Sequence, residues 1–250
     1  MDRARANPYL SVVIPAYNEQ DRLPPTLERL FAYLPTLGHA YEIIIVDDGS
    51  KDRTTEVVQE LQAAHPELVL ISDGINRGRT PTVQRGMAAA RGVYILETDA
   101  DGSVADEAIG RFLRELEQDS ALSAAFGSRE LPGSHKALWQ PPLRVFLGYG
   151  FIYLTRFVFW MWSVTDFALG FKLFRADAAR DMFAHQYEPH VVAEAELVYI
   201  AKVRGHRFVE LPVTWTDNAD SRIRPIREVF RSLVGLARIR MRSLTGAYHR

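Results

Sequence analysis

Residues Val93–Ser103 read VYILETDADGS. Val93 to Leu96 has the character of a buried β-strand, and it runs into a polar corner that holds Asp99 and Asp101. Two carboxylates one residue apart at a strand end project toward the same side of a sheet edge. They repel each other unless something cationic sits between them. A hard divalent ion, held by one or two carboxylates plus substrate phosphates, is the natural occupant. A solvated turn is the competing reading, since Asp and Gly are ordinary turn residues.

Working outward, the same grammar repeats. Leu10–Ile14 is a continuous apolar run of the kind buried on both faces of a sheet, and Pro15, Tyr17 and Glu19 follow it. Tyr41–Val46 is a second such run, ending in Asp47-Asp48-Gly49-Ser50. Leu68–Ser72 is a third. Between them, helices are expected from Pro24-Pro25 to Leu34, over Arg53–Ala64, and from the cap-like pair Thr80-Pro81 to Ala90. Strands alternating with helices predict an α/β fold, a mostly parallel sheet with helices on both faces. Ligands of such sheets sit outside the carboxyl ends of the strands. Residues 15–19, 47–50, 76–79 and 99–103 all fall at those ends.

The chain has 250 residues, enough for one large domain with a full core. It is 47% hydrophobic and 24% charged, a globular composition, and its formal net charge of -1 gives no case for a nucleic-acid partner. Cysteine is absent, which excludes disulfides, thiolate metal sites and cysteine nucleophiles and suits a reducing compartment. The first residues carry charges without the apolar run of a signal peptide. Charge is uneven: Ser221–Arg250 holds eight Arg against one Glu.

SVVIPAYNE, EIIIVDDGS, the NRG…GMAAARG segment and DAD, in that order, resemble the family 2 glycosyltransferases of GT-A fold (Rossmann-like). GSR at 127–129, DFALGFKLF at 166–174 and ELPVTW at 210–215 resemble a narrower branch, the dolichyl- or polyprenyl-phosphate sugar synthases. The resemblance implies that Pro15, Tyr17, Glu19, Asp47 and Asp48 hold the nucleoside of a nucleotide sugar. It implies that Gly78, Arg79 and the Asp99-Ala100-Asp101 corner hold its diphosphate. Asp99 and Asp101 would bind Mg2+ or Mn2+, with Ser103 standing where some relatives place a Gln. Relatives commonly read Asn-x-Gly-Lys-Gly where this chain has Asn76-Arg77-Gly78-Arg79-Thr80. Arg79 can serve as the phosphate cation, and Thr80 can cap the helix that follows.

The implied reaction is an inverting transfer of a hexose to a polyprenyl or dolichyl phosphate. UDP-glucose is preferred over GDP-mannose on the likeness of Gly170–Phe174 to glucose-type synthases. A lipid phosphate is already ionised, so a general base is optional and cations are required instead. Arg129, with Arg144 or Arg222, is expected to grip that phosphate through paired hydrogen bonds; a surface ion pair is the alternative for Arg129. Asp101, Asp166 and Arg129 are the expected catalytic set, Asp166 orienting sugar or acceptor. Where this chain has Glu194 and Glu196 the family often reads Asp-x-Glu, so Glu196 is a match and Glu194 a variant, a solvated helix face being the alternative; His185, His190 and His206 show no ligand spacing. Two other activities stay open: transfer to a hydroxyl acceptor, and nucleotide-sugar binding without turnover.

Val145–Thr165 carries one charge, Arg156, and is dense in aromatics; as one helix it spans roughly 30 Å. A crossing would strand the later motifs on the wrong side, so residues 141–165 are expected as interfacial, acceptor-cradling helices within a catalytic domain of residues 1–220. A buried helix pair is the alternative. In residues 221–250, Ile226, Val229, Phe230, Leu233, Val234, Ala237, Met241 and Leu244 keep helical spacing. Arg224, Arg227, Arg231, Arg238 and Arg242 fall within a wedge of about 60°. That predicts a basic amphipathic helix on an anionic membrane surface, peripheral on the cytoplasmic face; packing onto the catalytic domain is the rival.

Overall fold

A computed structural model describes residues 7–136, 142–189, 192–216 and 225–249, with the backbone alone at 136, 142–144 and 225–229. In chain order the elements are β1 (Leu10–Ala16), α1 (Leu23–Tyr33), β2 (Tyr41–Asp47), α2 (Thr54–Gln62), β3 (Leu68–Ile71), α3 (Arg79–Ala89), β4 (Tyr94–Glu97) and α4 (Glu107–Gln118). Then come β5 (Ala124–Ser128), β6 (His135–Lys136), α5 (Pro142–Phe159), β7 (Lys172–Arg175), α6 (Ala176–Ala184), α7 (Val192–Val203), β8 (Phe208–Pro212), β9 (Thr214–Trp215) and α8 (Pro225–Leu244). The seven-stranded sheet has the order β3-β2-β1-β4-β7-β5-β8. All neighbours pair in parallel except β7, which is antiparallel to both β4 and β5. This is the mixed, mostly parallel, helix-flanked sheet of a GT-A fold.

The topology places the site. Chain order runs outward from β1 to β3 on one side and jumps to β4 on the other, so a crevice opens where β1 and β4 separate at their carboxyl ends. Because β7 runs the other way, its first residue lies at that same edge: Lys172 pairs in register with Glu97, the last residue of β4. One apolar layer lies under α1, α2 and α4, around Leu27, Val58 and Phe112. The other lies under α3, α6 and α7, around Met87, Met182 and Val198. α7 is buried from Val192 to Ala201, so Glu194 and Glu196 do not lie on a solvated face. α3 begins at Arg79, one residue before the expected cap; Thr80 does not cap it but donates its hydroxyl to the Glu188 carbonyl at 2.8 Å.

α5 and α8 pack on the second layer through Ile152, Phe159, Leu236 and Ile239. Both leave an apolar face outside. Phe146, Tyr149, Tyr153, Phe157 and Trp160 form an exposed stripe along α5 and its end, where the chain breaks at Trp160 with φ 55. Phe230, Leu233, Val234, Met241 and Leu244 form another along α8. Arg238 and Arg242 turn inward instead, and both pair with the fully buried carboxylate of Glu188. The expected basic stripe is therefore partly neutralised by the protein itself. Arg222 and Arg224 lie outside the described residues, as does His190. No described helix is long and apolar enough to cross a membrane.

The end of the chain is clamped by Asp181. It accepts from Arg204 at 2.7 Å and lies 2.6 Å from His206, while Arg204 also donates to the Tyr248 carbonyl. Hydrogen bonds from Arg204 outweigh burial and, with His206, pull the Asp181 carboxyl down to about 2. A depressed folded pKa stabilises fully above the unfolded value and loses that contribution as pH falls through the folded one. Between about pH 4 and about pH 2, Asp181→Asn should therefore lose less urea resistance than the parent. Identical acid sensitivity of the two proteins would contradict the clamp.

Candidate active site

Three loops build the crevice and stitch one another. Asp47 spends its carboxylate on the Gly49 and Ser50 N–H groups and the Ser72 hydroxyl. Asp48 accepts from the Arg77 and Gly78 N–H groups at 2.7 and 3.0 Å, which fixes the turn into α3. Gly49 allows the close approach: its φ is +69, and a Cβ would lie 2.6 Å from the Asn76 nitrogen. Asn18 accepts from the Lys51 N–H and ties the β1 loop to the β2 loop.

The result is a cavity of about 490 Å3 at the carboxyl ends of β1, β2 and β4. Pro15, Tyr17, Glu19, Asp48, Gly78, Arg79, Asp99, Ala100 and Asp101 all line it, so nine of the residues expected from sequence to hold the donor meet here. Asp47 stands behind that wall as a loop organiser. Glu19 faces the cavity with Arg22 bound across its carboxylate at 2.6 Å. Ser103 offers its backbone N–H to Asp101 at 3.1 Å and is not among the lining side chains.

Beneath the cavity lies a charged cluster that the sequence disclosed only in part. Arg79 reaches Glu97 at 3.0 Å and Asp99 at 2.9 Å, and it also pairs with Glu194. Glu194 in turn pairs with Lys172, whose ammonium donates to the Leu169 carbonyl as well. Burial opposes the Glu194 charge, but the Lys172 and Arg79 cations hold its carboxyl below the ordinary range. Glu97 goes the other way: burial and then the Glu194 charge push it up to about 7, against the pull of Arg79 and Lys172. The one available signal was Glu97 itself, a charge ending the apolar run YIL. Its partners lie too far away in sequence for spacing to reveal them.

Arg129 and Asp166 come together beside this cavity rather than in its wall. The Asp166 carboxylate accepts from the Arg129 N–H, Nε and Nη2 and from the Ala168 N–H, at 2.7 to 3.2 Å. Burial opposes its charge, yet Arg129 and these hydrogen bonds keep the carboxyl below its usual range. The acid is thereby committed to these donors, and the guanidinium of Arg129 also lies 5.3 Å from the centre of the Trp215 ring. Glu210 braces the pair by accepting from the Thr165 and Asp166 N–H groups. Of Arg144 only the backbone, in α5, is described.

Asp99 and Asp101 provide the hard oxygen donors that suit Mg2+ or Mn2+. Among the described residues no group of three or more candidate ligand side chains converges. Further ligands would have to come from diphosphate oxygens and water, as is usual for such ions at phosphate sites. The residues present fit a cation that binds together with its nucleotide.

Residues 11–183 match the family described as glycosyl transferase family 2. The chain is 36% identical over 225 residues to a dolichyl-phosphate beta-glucosyltransferase of Trichomonas vaginalis, covering 86% of this chain and 66% of that one. It is 32% identical over 250 residues to the human dolichyl-phosphate beta-glucosyltransferase, covering 96% and 77%. Its fold matches glucosyl-3-phosphoglycerate synthase from Mycobacterium tuberculosis, solved with Mn2+, UDP and glucosyl-3-phosphoglycerate. The TM-score is 0.64 at 16% identity, over 94% of this chain and 81% of that one.

Proposed function

The chain belongs to glycosyl transferase family 2 and is a glycosyltransferase, and from that premise we propose that it transfers glucose from UDP-glucose to a polyprenyl or dolichyl phosphate at the cytoplasmic face of a membrane. The observation that carries this reading is the donor cavity, where Asp48, Arg79, Asp99 and Asp101 converge at the switch between β1 and β4. The names of the relatives support the sugar and the lipid. The cysteine-free composition supports the compartment.

In the reaction a lipid-phosphate oxygen attacks the anomeric carbon from the side opposite the nucleotide. The bond from that carbon to the diphosphate oxygen breaks, and UDP leaves with the electron pair. A bound Mg2+ or Mn2+, held by Asp99 and Asp101, would stabilise the charge gathering on the departing diphosphate. Arg79 supplies a cation from the floor of the cavity. The acceptor is already an anion, so no proton has to be removed, which agrees with Asp166 being committed to Arg129. Arg129, presented as a flat fork, grips the acceptor phosphate.

A panel of nucleotide sugars, each with Mg2+ or Mn2+ and a short polyprenyl phosphate, tests the assignment. Glucosyl transfer from UDP-glucose is expected. Transfer to sugar hydroxyls with none to the lipid phosphate would replace it, and preference for GDP-mannose would change the donor.

The exposed stripes of α5 and α8 support membrane docking. Apolar patches of this extent mark interaction surfaces, and aromatics favour the lipid–water interface. Arg240 is exposed beside the α8 stripe. Anionic vesicles at low salt should carry the protein on flotation. The pair Phe157→Ser and Trp160→Ser should weaken that binding by about tenfold per side chain, at about 1.5 kcal/mol each. Flotation unchanged by both substitutions would exclude the α5 face.

A further inference from the structure

Arg79 enters the donor cavity as a fork with two unequal arms. Nη1 lies 3.0 Å from Glu97 and also pairs with Glu194, while Nη2 donates to Asp99 at 2.9 Å. The first arm is sealed, since the Glu97 and Glu194 side chains are 1% and 5% exposed. The second is open, the Asp99 side chain being 41% exposed. The other Glu97 oxygen, Oε2, is buried without a hydrogen-bond partner among the described residues, so the pairing with Arg79, helped by the Lys172 charge, is what compensates this acid. Gly170 closes over the open arm: a Cβ there would come within 2.6 Å of Nη2 and 2.8 Å of Asp99 Oδ2.

We infer that Nη2 of Arg79 and the divalent cation are alternative partners of Asp99, and that the nucleoside diphosphate decides between them. The inference rests on the proposed role of Asp99 as a cation ligand. A guanidinium and a divalent ion on one carboxylate would stand within about 5 Å and repel. A cation arriving alone meets Nη2 already seated on Asp99 Oδ1, and it must either displace that donor and leave it without an acceptor or bind the other oxygen against the guanidinium charge. A diphosphate removes that obstacle, because its oxygens receive Nη2 and complete the cation's ligands at once. Glu97 and Glu194 hold Nη1 throughout, so the guanidinium changes partner without leaving the floor. Both are positioning residues for Arg79. Cation and nucleotide binding are thereby coupled, each strengthening the other by the same factor.

The test is Mn2+ binding to the whole protein, read from the electron paramagnetic resonance of free Mn2+ with and without UDP. The variants are Arg79→Gln and Arg79→Lys, each checked for folding by circular dichroism and thermal melting. Lysine keeps the charge, but a single ammonium does not span Asp99 and the Glu97–Glu194 pair. Both variants are expected to bind Mn2+ without UDP about tenfold more tightly than the parent, and to gain less when UDP is added. If only Arg79→Gln tightens, charge alone is at work and the exchange is wrong. If neither tightens while the parent binds Mn2+ with UDP, the exchange fails and the cation site survives. No Mn2+ binding by the parent even with UDP would remove both.

Discussion

Replacing Asp101 with alanine is expected to cut sugar transfer by about a thousandfold, the scale of losing a preorganised group that stabilises transition-state charge. The melting temperature should hardly change. Asp101 is half-buried at the cavity rather than in the core, and it accepts the Ser103 N–H at 3.1 Å within its own turn. Turnover and melting temperature measured on one preparation check both halves of the expectation. A variant with parental turnover would show that the second aspartate of the corner does not serve the leaving diphosphate. An unfolded variant would show that Asp101 holds the corner together, and a folded one with parental turnover would select the solvated turn.

Asp166→Ala should have the largest effect on stability. The Asp166 side chain is fully buried and Arg129 is only 22% exposed, so removing the acid leaves a nearly buried guanidinium and two loop N–H groups without their acceptor. Loss of one partner from such a pair costs about 3–5 kcal/mol. For a chain of this size that is a fall of about 10 °C in melting temperature. Arg129→Ala should cost less, since Asp166 keeps its Ala168 contact and the Arg129 N–H. The double variant should cost less than the two single losses summed, because the residues act as one unit. Strict additivity, measured by urea unfolding, would mean that the pair is not coupled. At the acceptor site the expected signature is weaker use of lipid phosphate with donor binding preserved.

Much of the cavity wall was legible because its motifs are local. Residues 15–19, 47–50, 76–79 and 99–101 each follow an apolar strand, and a parallel sheet must gather its carboxyl ends on one edge. Asp47 shows the limit of that reasoning. It shares the edge with Asp48, yet its oxygens close a turn rather than face the cavity, and spacing does not distinguish two adjacent acids. The Arg79–Glu194 pair was out of reach for another reason. Its members are 115 residues apart and meet only because α3 and α7 lie over one apolar layer on the same face of the sheet.

The sequence by itself determined the alternation of strands and helices, the polar corner at Asp99 and Asp101, and the family. Periodicity and short motifs are properties of neighbouring residues. Tertiary structure alone decided which charges are spent inside. Periodicity gave α8 an apolar stripe and an arginine wedge but not which one faces the protein. Packing of Leu236 and Ile239, with Arg238 and Arg242 drawn onto buried Glu188, turned the apolar stripe outward. In the same way Asp166 was assigned to Arg129, and Glu97 and Glu194 to Arg79. A buried charge has to find an opposite charge in three dimensions, and a linear pattern does not record where that partner lies.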